Sequence, residues 1–146
     1  RTNVLMRRFA ASRKRLSADR YRPLYHFVSP ESQLNDPNGL CFWQGRWHLF
    51  YQAYPPDEFP AAADISKRRQ HWGHAVSKDL VHWKELRDEL APDEFGPMFS
   101  GSAVVDWKNT SGLGKDGQAP LVLIYTAAGD PTVQCIASST RVVRSA

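Results

Sequence analysis

The chain has 146 residues, of which 42% are hydrophobic and 23% are charged, and its formal net charge is +4. This composition is typical of a globular protein and excludes a disordered, collagen-like or disulfide-stapled chain. No apolar run reaches the roughly 18 residues that a membrane-spanning helix needs.

Residues 1–22 differ in charge from the rest of the chain. They hold eight basic residues and one acid, whereas residues 23–146 hold eleven basic and fourteen acidic residues. Apolar residues between Leu5 and Leu16 recur at near-helical spacing, which predicts a short basic lead-in helix on the main domain. A transit peptide and a nucleic-acid-binding arm are alternatives, but no aromatic residues alternate with the basic ones as base stacking requires. No apolar signal segment is visible, so the sequence leaves the compartment open.

From Arg22 onward the sequence has the pattern of short strands. The first four predicted strands are residues 38–43, 47–52, 71–77 and 80–83. Gln44-Gly45-Arg46 predicts a hairpin with a three-residue loop, and Ser77-Lys78-Asp79 predicts a turn. Three prolines in the segment 53–70 exclude a strand there.

The strand pattern begins again after a polar stretch. Three more strands are predicted at residues 99–106, 121–127 and 133–139. No long helical pattern separates the strands, which argues against a parallel α/β sheet. Antiparallel units that recur about every 50–60 residues are typical of propeller blades. The predicted fold class is therefore all-β, with one and a half to two propeller blades, and a β-sandwich is the alternative.

The histidines and cysteines predict no metal centre. His71 and His74 are three residues apart on a predicted strand, so their side chains point to opposite faces. Cys41 and Cys135 form no C-x-x-C pair, and we interpret both as buried small hydrophobic residues.

Asp36 stands in the segment Leu34-Asn35-Asp36-Pro37-Asn38-Gly39. Pro37 disfavours helical backbone for Asp36 and makes it extended, and Asn38-Gly39 turns the chain into the first predicted strand. A carboxylate on such a rigid backbone suits a nucleophile or a metal ligand. From these residues alone, an Asx turn that caps the corner would be preferred.

Six segments share a pattern with one enzyme family. In chain order they are 25–27 (YHF), 34–39 (LNDPNG), 47–52 (WHLFYQ), 71–77 (HWGHAVS), 79–83 (DLVHW) and 99–104 (FSGSAV). Together they resemble glycoside hydrolase family 32, which contains invertases, levanases, inulinases and sucrose-6-phosphate hydrolases. Each segment alone is a weak signal, whereas all six in this order are specific.

The resemblance implies a five-bladed β-propeller with a funnel-shaped active site. Residues 23–146 would form the N-terminal part of this catalytic domain, and residues 1–22 would precede it. The implied reaction is hydrolysis of terminal β-fructofuranosyl bonds in sucrose or fructans with retained configuration. Asp36 matches the family's nucleophile, which forms a covalent fructosyl intermediate.

Five further positions match residues that hold the fructose unit. Asn35 and Gln52 match residues that bind its hydroxyls, Trp72 matches the aromatic residue of its pocket, and Phe99 and Ser100 match the pair that lines it. A few placed polar groups on an aromatic floor suit a sugar. Without the resemblance, core packing would be preferred for the two aromatic residues. The implied partner is a fructose-containing saccharide, with no metal, cofactor, nucleic acid or membrane.

The chain also departs from the family pattern. Gln33 stands where the family often has Trp, and neither the Arg-Asp-Pro motif of the transition-state stabiliser nor the Glu of the acid/base is found. We expect both beyond residue 146. Acid–base assistance is typically worth about 10²–10⁴-fold, so we expect negligible hydrolase activity from these 146 residues alone. A non-catalytic remnant that binds fructosides weakly is the alternative.

Overall fold

The computed structural model describes residues 11, 14–23, 25–29, 33–55, 62–86 and 90–141. Its seven strands are β1 (Leu34–Trp43), β2 (Arg46–Ala53), β3 (His71–Ser77), β4 (Trp83–Glu85), β5 (Met98–Val105), β6 (Leu121–Ala127) and β7 (Val133–Ser139). Ile65–Lys67 form a single turn of 3-10 helix. Residues 14–17 are helical, whereas residues 1–10 of the predicted lead-in helix lie outside the described residues. In the described ranges, no helix has the length and apolar character to span a bilayer.

The strands form two antiparallel sheets. The first sheet has the order β1-β2-β3-β4 and the second has the order β5-β6-β7. The predicted division into four strands and then three is confirmed.

The fourth strand was predicted at residues 80–83 but begins at Trp83. Asp79 Oδ1 accepts the backbone N–H groups of Val81 and His82, and Leu80 has a φ of 65°. These bonds fold the segment before Trp83 into a tight turn, and a left-handed residue cannot continue a strand. The predicted start was wrong because it rested on the apolar character of Leu80 and Val81.

The hairpin between β1 and β2 is tighter than predicted. Trp43 pairs with Arg46, so the loop has two residues and not three. Both loop residues have positive φ, 47° for Gln44 and 76° for Gly45. This is the geometry of a type I′ turn, whose twist matches that of the flanking strands.

The main hydrophobic core lies between the two sheets. Its large side chains are Trp43, Phe50 and Trp72 from the first sheet and Leu121, Leu123 and Tyr125 from the second. Alternate β6 residues face this core, whereas Ile124 between them is 44% exposed. The two sheets therefore pack against each other through these faces, and β1 contacts β5.

A buried pair of histidines lies on the core side of the first sheet. His48 Nδ1 is 2.9 Å from His74 Nε2, and His48 Nε2 is 3.1 Å from the Trp43 carbonyl oxygen. A carbonyl only accepts, so His48 Nε2 carries the proton and His48 Nδ1 accepts from His74. His74 is thus a hydrogen-bonded core residue.

The two cysteines were expected to be buried. Both are free and only half-buried, and they pack at the margin of the core. Burial raises the pKa of the Cys41 thiol to about 11. Cys135 is on β7, whose only strand partner in the described sheet is β6, which leaves that side chain partly open.

Candidate active site

The site lies where the first residues of β1 approach β5 across the gap between the sheets. Gly39 has a φ of 53°, and a Cβ placed on it would lie 2.5 Å from the Cβ of Ala103. Only glycine permits both this backbone conformation and this close approach. The Asn-Gly pair of the sequence motif is therefore needed to bring Asp36 to the second sheet.

Asp36 is an exposed carboxylate inside an irregular stretch of β1. The pairing of β1 with β2 shifts between Leu34 and Pro37 and again between Asn38 and Cys41. The Asp36 side chain is exposed, and its Oδ2 accepts a hydrogen bond from Ser100 Oγ at 2.5 Å. This bond crosses to the other sheet and is not the local bond of an Asx turn.

Three consecutive residues at the start of β5 are each held by a buried side chain of the first sheet. The bonds run from Trp72 Nε1 to the Phe99 carbonyl (3.0 Å), from Gln52 Nε2 to Ser100 Oγ (2.8 Å) and from the Gly101 N–H to Asn38 Oδ1 (3.1 Å). The β5–β6 pairing shifts between Met98 and Gly101, so this segment departs from a regular ladder. Strands β3, β2 and β1 thus fix the segment beside Asp36.

The structure brings the predicted site residues together in two layers. Asn35, Asp36 and Ser100 are exposed, and Phe99 is half-buried. Behind them, Gln52 is 2% exposed and Trp72 is fully buried.

The placement of Trp72 differs from that of a sugar-binding face. Its ring centroid lies 6.0 Å from those of Phe50 and Tyr125. In this structure Trp72 supports the site by donating a hydrogen bond from Nε1 to the Phe99 carbonyl oxygen.

From the sequence, Asn38 was predicted only to form part of a turn. Its side chain is 4% exposed, and besides accepting from Gly101 it donates from Nδ2 to the Asp36 carbonyl at 3.2 Å. The only sequence signal for this role was the residue type, because an amide side chain can donate and accept at the same time.

Two other aspartates are unsuited to serve as a general acid. Hydrogen bonds from His82 and Val81 hold the pKa of Asp79 well below its usual range. The N–H groups of Ser111 and Thr110 lower the pKa of Asp106 to about 2. Both are carboxylates at neutral pH and have no proton to donate. Asp106 also lies six residues after Ser100, just beyond the end of β5, which corresponds to about 20 Å of extended chain.

Comparison with known proteins identifies the family. The family model described as "Glycosyl hydrolases family 32 N-terminal domain" matches residues 26–145. The chain belongs to glycoside hydrolase family 32. The two sheets of the described residues, with four and three strands, are one and a half to two blades of the family 32 propeller, as predicted, and the β-sandwich alternative is wrong.

The relatives in family 32 include fructan-degrading enzymes. The levanase of Bacillus subtilis is 51% identical over 106 residues, which are 73% of this chain and 15% of that protein. The extracellular exo-inulinase of Aspergillus awamori is 46% identical over 112 residues, or 73% of this chain and 20% of that protein. The chain therefore spans only a small part of the length of these relatives.

Solved family 32 structures share the fold. The exo-inulinase of Aspergillus awamori has a TM-score of 0.66 and 40% identity, over 82% of this chain and 26% of that chain. The β-fructofuranosidase of Schwanniomyces occidentalis, complexed with fructosyl-erythritol, has a TM-score of 0.69 and 37% identity, over 82% and 23%.

Proposed function

We propose that this chain supplies the nucleophile and part of the fructose-binding surface of an enzyme that hydrolyses terminal β-fructofuranosyl bonds. The observation that carries the proposal is the exposed Asp36 carboxylate, bonded through Oδ2 to Ser100 Oγ at 2.5 Å. The similarity to a levanase and an exo-inulinase supports a fructan or sucrose as the substrate class.

The proposed reaction begins when Asp36 Oδ1 attacks the anomeric carbon C2 of a terminal fructose. The new bond joins Oδ1 to C2, and the bond from C2 to the leaving oxygen breaks, with its electron pair going to that oxygen. A general acid protonates the leaving oxygen, and water later releases the fructose with retained configuration. In retaining glycosidases the two carboxyl groups are about 5–5.5 Å apart. We place the acid outside this chain, since the family's Arg-Asp-Pro motif and its acid/base Glu motif are not found in the sequence.

The other family positions form the proposed fructose-binding surface. Asn35, Phe99 and Ser100 are exposed or half-buried beside Asp36, so their side chains are available to a sugar. Gln52 and Trp72 support this layer from behind through Ser100 and Phe99.

A graft tests the function directly. Residues 26–145, which match the family model, would replace the corresponding family 32 N-terminal segment of the Bacillus subtilis levanase, which supplies the rest of the enzyme. We expect the graft to release fructose from levan and expect Asp36→Asn to lose at least about 10³-fold in rate, because no covalent intermediate forms. Asp130→Asn, a change at an exposed loop residue, is the control that keeps the activity. An active Asp36→Asn graft would refute the assigned nucleophile.

A second test uses the 146-residue chain itself. Fluoride needs little acid assistance to leave, so β-fructosyl fluoride bypasses the missing general acid. We expect intact mass spectrometry to detect one fructosyl group on Asp36, and none after incubation with sucrose or in Asp36→Asn. Rapid fructose release from sucrose by the chain alone would contradict the placement of the acid elsewhere. An inactive graft together with an unlabelled chain would favour a non-catalytic remnant.

A further inference from the structure

Gln52, Ser100 and Asp36 form a chain of hydrogen bonds from three strands. Gln52 Nε2 donates to Ser100 Oγ at 2.8 Å, and Ser100 Oγ donates to Asp36 Oδ2 at 2.5 Å. We name this arrangement the donor chain. It starts at a buried amide that is 2% exposed and ends at an exposed carboxylate.

The direction of the donor chain follows from elementary chemistry. An amide nitrogen only donates, so Ser100 Oγ must accept from Gln52. The single Ser100 proton is then free to point at the Asp36 carboxylate, which only accepts when ionised. A hydrogen bond to an ionised acceptor is about twice as strong as a neutral one. The Gln52 amide thus fixes the direction of the Ser100 proton.

We propose that Gln52 is a positioning residue, which acts through Ser100 to hold the Asp36 carboxylate by Oδ2 and present Oδ1 to the substrate. This rests on the proposed function of Asp36 and goes beyond it, since Gln52 was expected from the resemblance to bind a fructose hydroxyl. Within the described residues, the hydrogen bond to the carboxylate goes to Oδ2 alone. A carboxylate held by one oxygen loses its rotational freedom, which lowers the entropy cost of attack.

The burial of the donor chain supports this assignment. The neighbours of Ser100 are held independently, Phe99 by Trp72 and Gly101 by Asn38. The backbone of Ser100 is therefore fixed on both sides, and the remaining freedom of the Ser100 side chain is rotation about its Cα–Cβ and Cβ–Oγ bonds. The amide of Gln52 controls that rotation.

The spectroscopic test uses the 146-residue chain with ¹³C-labelled aspartate and ¹⁵N-labelled glutamine. We expect Ser100→Ala to move both the Asp36 carboxyl ¹³C signal and the Gln52 side-chain amide signals, whereas Ser100→Thr restores them. Gln52→Met keeps a side chain of similar length but removes the donor, so it should move the Asp36 signal as much as Ser100→Ala does. Ser102→Ala, at an exposed residue of the same strand, is the matched control. An Asp36 signal that is unmoved in Ser100→Ala or Gln52→Met would overturn the donor chain.

The kinetic test uses the levanase graft. For Ser100→Ala and Gln52→Met we expect kcat to fall about 10–100-fold, the usual worth of a hydrogen bond to a charged group, while KM changes less than about twofold. Ser100→Thr should recover most of kcat, and Gln134→Met, at an exposed residue of β7, is the control. A rise in KM with kcat unchanged would make Gln52 a sugar ligand and overturn the positioning role. The proposed function fails separately, if the unmodified graft is inactive while the carboxyl signals still move as expected.

Discussion

Asn38 joins the two sheets by accepting the Gly101 N–H at its Oδ1, at 3.1 Å. The same side chain donates from Nδ2 to the Asp36 carbonyl at 3.2 Å. One buried amide therefore fixes the backbone of the candidate nucleophile and the backbone next to its hydrogen-bond donor. The relative position of Asp36 and Ser100 depends on this contact as well as on their own bond.

Replacing Asn38 by alanine is expected to destabilise the chain. The change removes the hydrogen bonds from the Gly101 N–H and to the Asp36 carbonyl, and a lost intramolecular hydrogen bond typically costs about 0.5–1.5 kcal/mol. Urea unfolding of the 146-residue chain measures the free energy of unfolding. Asn35→Ala, at an exposed position nearby, should stay within about 0.5 kcal/mol. Equal losses of unfolding free energy in the two variants would show that the Asn38 side-chain hydrogen bonds do not stabilise the fold.

Replacing Gly101 by alanine is expected to be more severe. A Cβ at this position would lie 2.0 Å from the backbone oxygen of Ile124, so β5 and β6 would have to separate. Overpacking costs about 1–3 kcal/mol and occasionally more, and we expect the upper end because the obstacle is backbone. Gly112→Ala is the control, since an added Cβ meets nothing within 4 Å there and only its φ of 72° opposes the change. Gly101→Ala as stable as Gly112→Ala would contradict the close approach.

The strands could be predicted because their composition and turn residues are local signals. Residues 121–127 and 133–139 were predicted with the bounds that the structure gives to β6 and β7. The start of β4 could not be predicted, because it depends on Asp79 bonds that outweigh the strand preference of Leu80 and Val81.

The site was predictable only in part. Pro37 and the family resemblance pointed to Asp36, but the partner of its carboxylate is 64 positions away in the sequence. No periodicity connects such residues, since the contact depends on how two sheets pack. For Trp72 the residues alone favoured core packing, and the structure shows it fully buried.

Acid should weaken the loop that follows β5. Bonds from the Ser111 and Thr110 N–H groups lower the pKa of Asp106 to about 2, below the unfolded value of about 3.9. The folded state therefore binds the Asp106 proton less readily than the unfolded state does. This stabilisation is present above about pH 4 and is lost as the pH falls towards 2.

Thermal unfolding between pH 2 and pH 6 measures this contribution. The difference in Tm between the unmodified chain and Asp106→Asn should be largest at pH 6 and shrink towards pH 2. Asp116→Asn is the control. It removes a carboxyl group from the same loop but leaves the Asp106 carboxylate and its bonds from Ser111 and Thr110 in place. The φ of 52° at residue 116 suits asparagine. A Tm difference for Asp106→Asn that stays constant with pH would refute the role of the charge.

Replacing Trp72 is expected to destabilise the fold, and to affect the sugar site only as a consequence of that loss. It is fully buried, so Trp72→Ala should cost about 3–5 kcal/mol. Trp72→Phe keeps a ring but leaves the Phe99 carbonyl without its indole donor, and we expect a smaller loss of about 1–3 kcal/mol. Trp107→Ala is the matched control, because that side chain is 68% exposed and its loss should stay within about 0.5 kcal/mol. Urea unfolding ranks the three variants, and the levanase graft gives their KM. A Trp72→Ala chain that unfolds like the control, together with a graft whose KM rises, would instead make Trp72 a direct sugar contact.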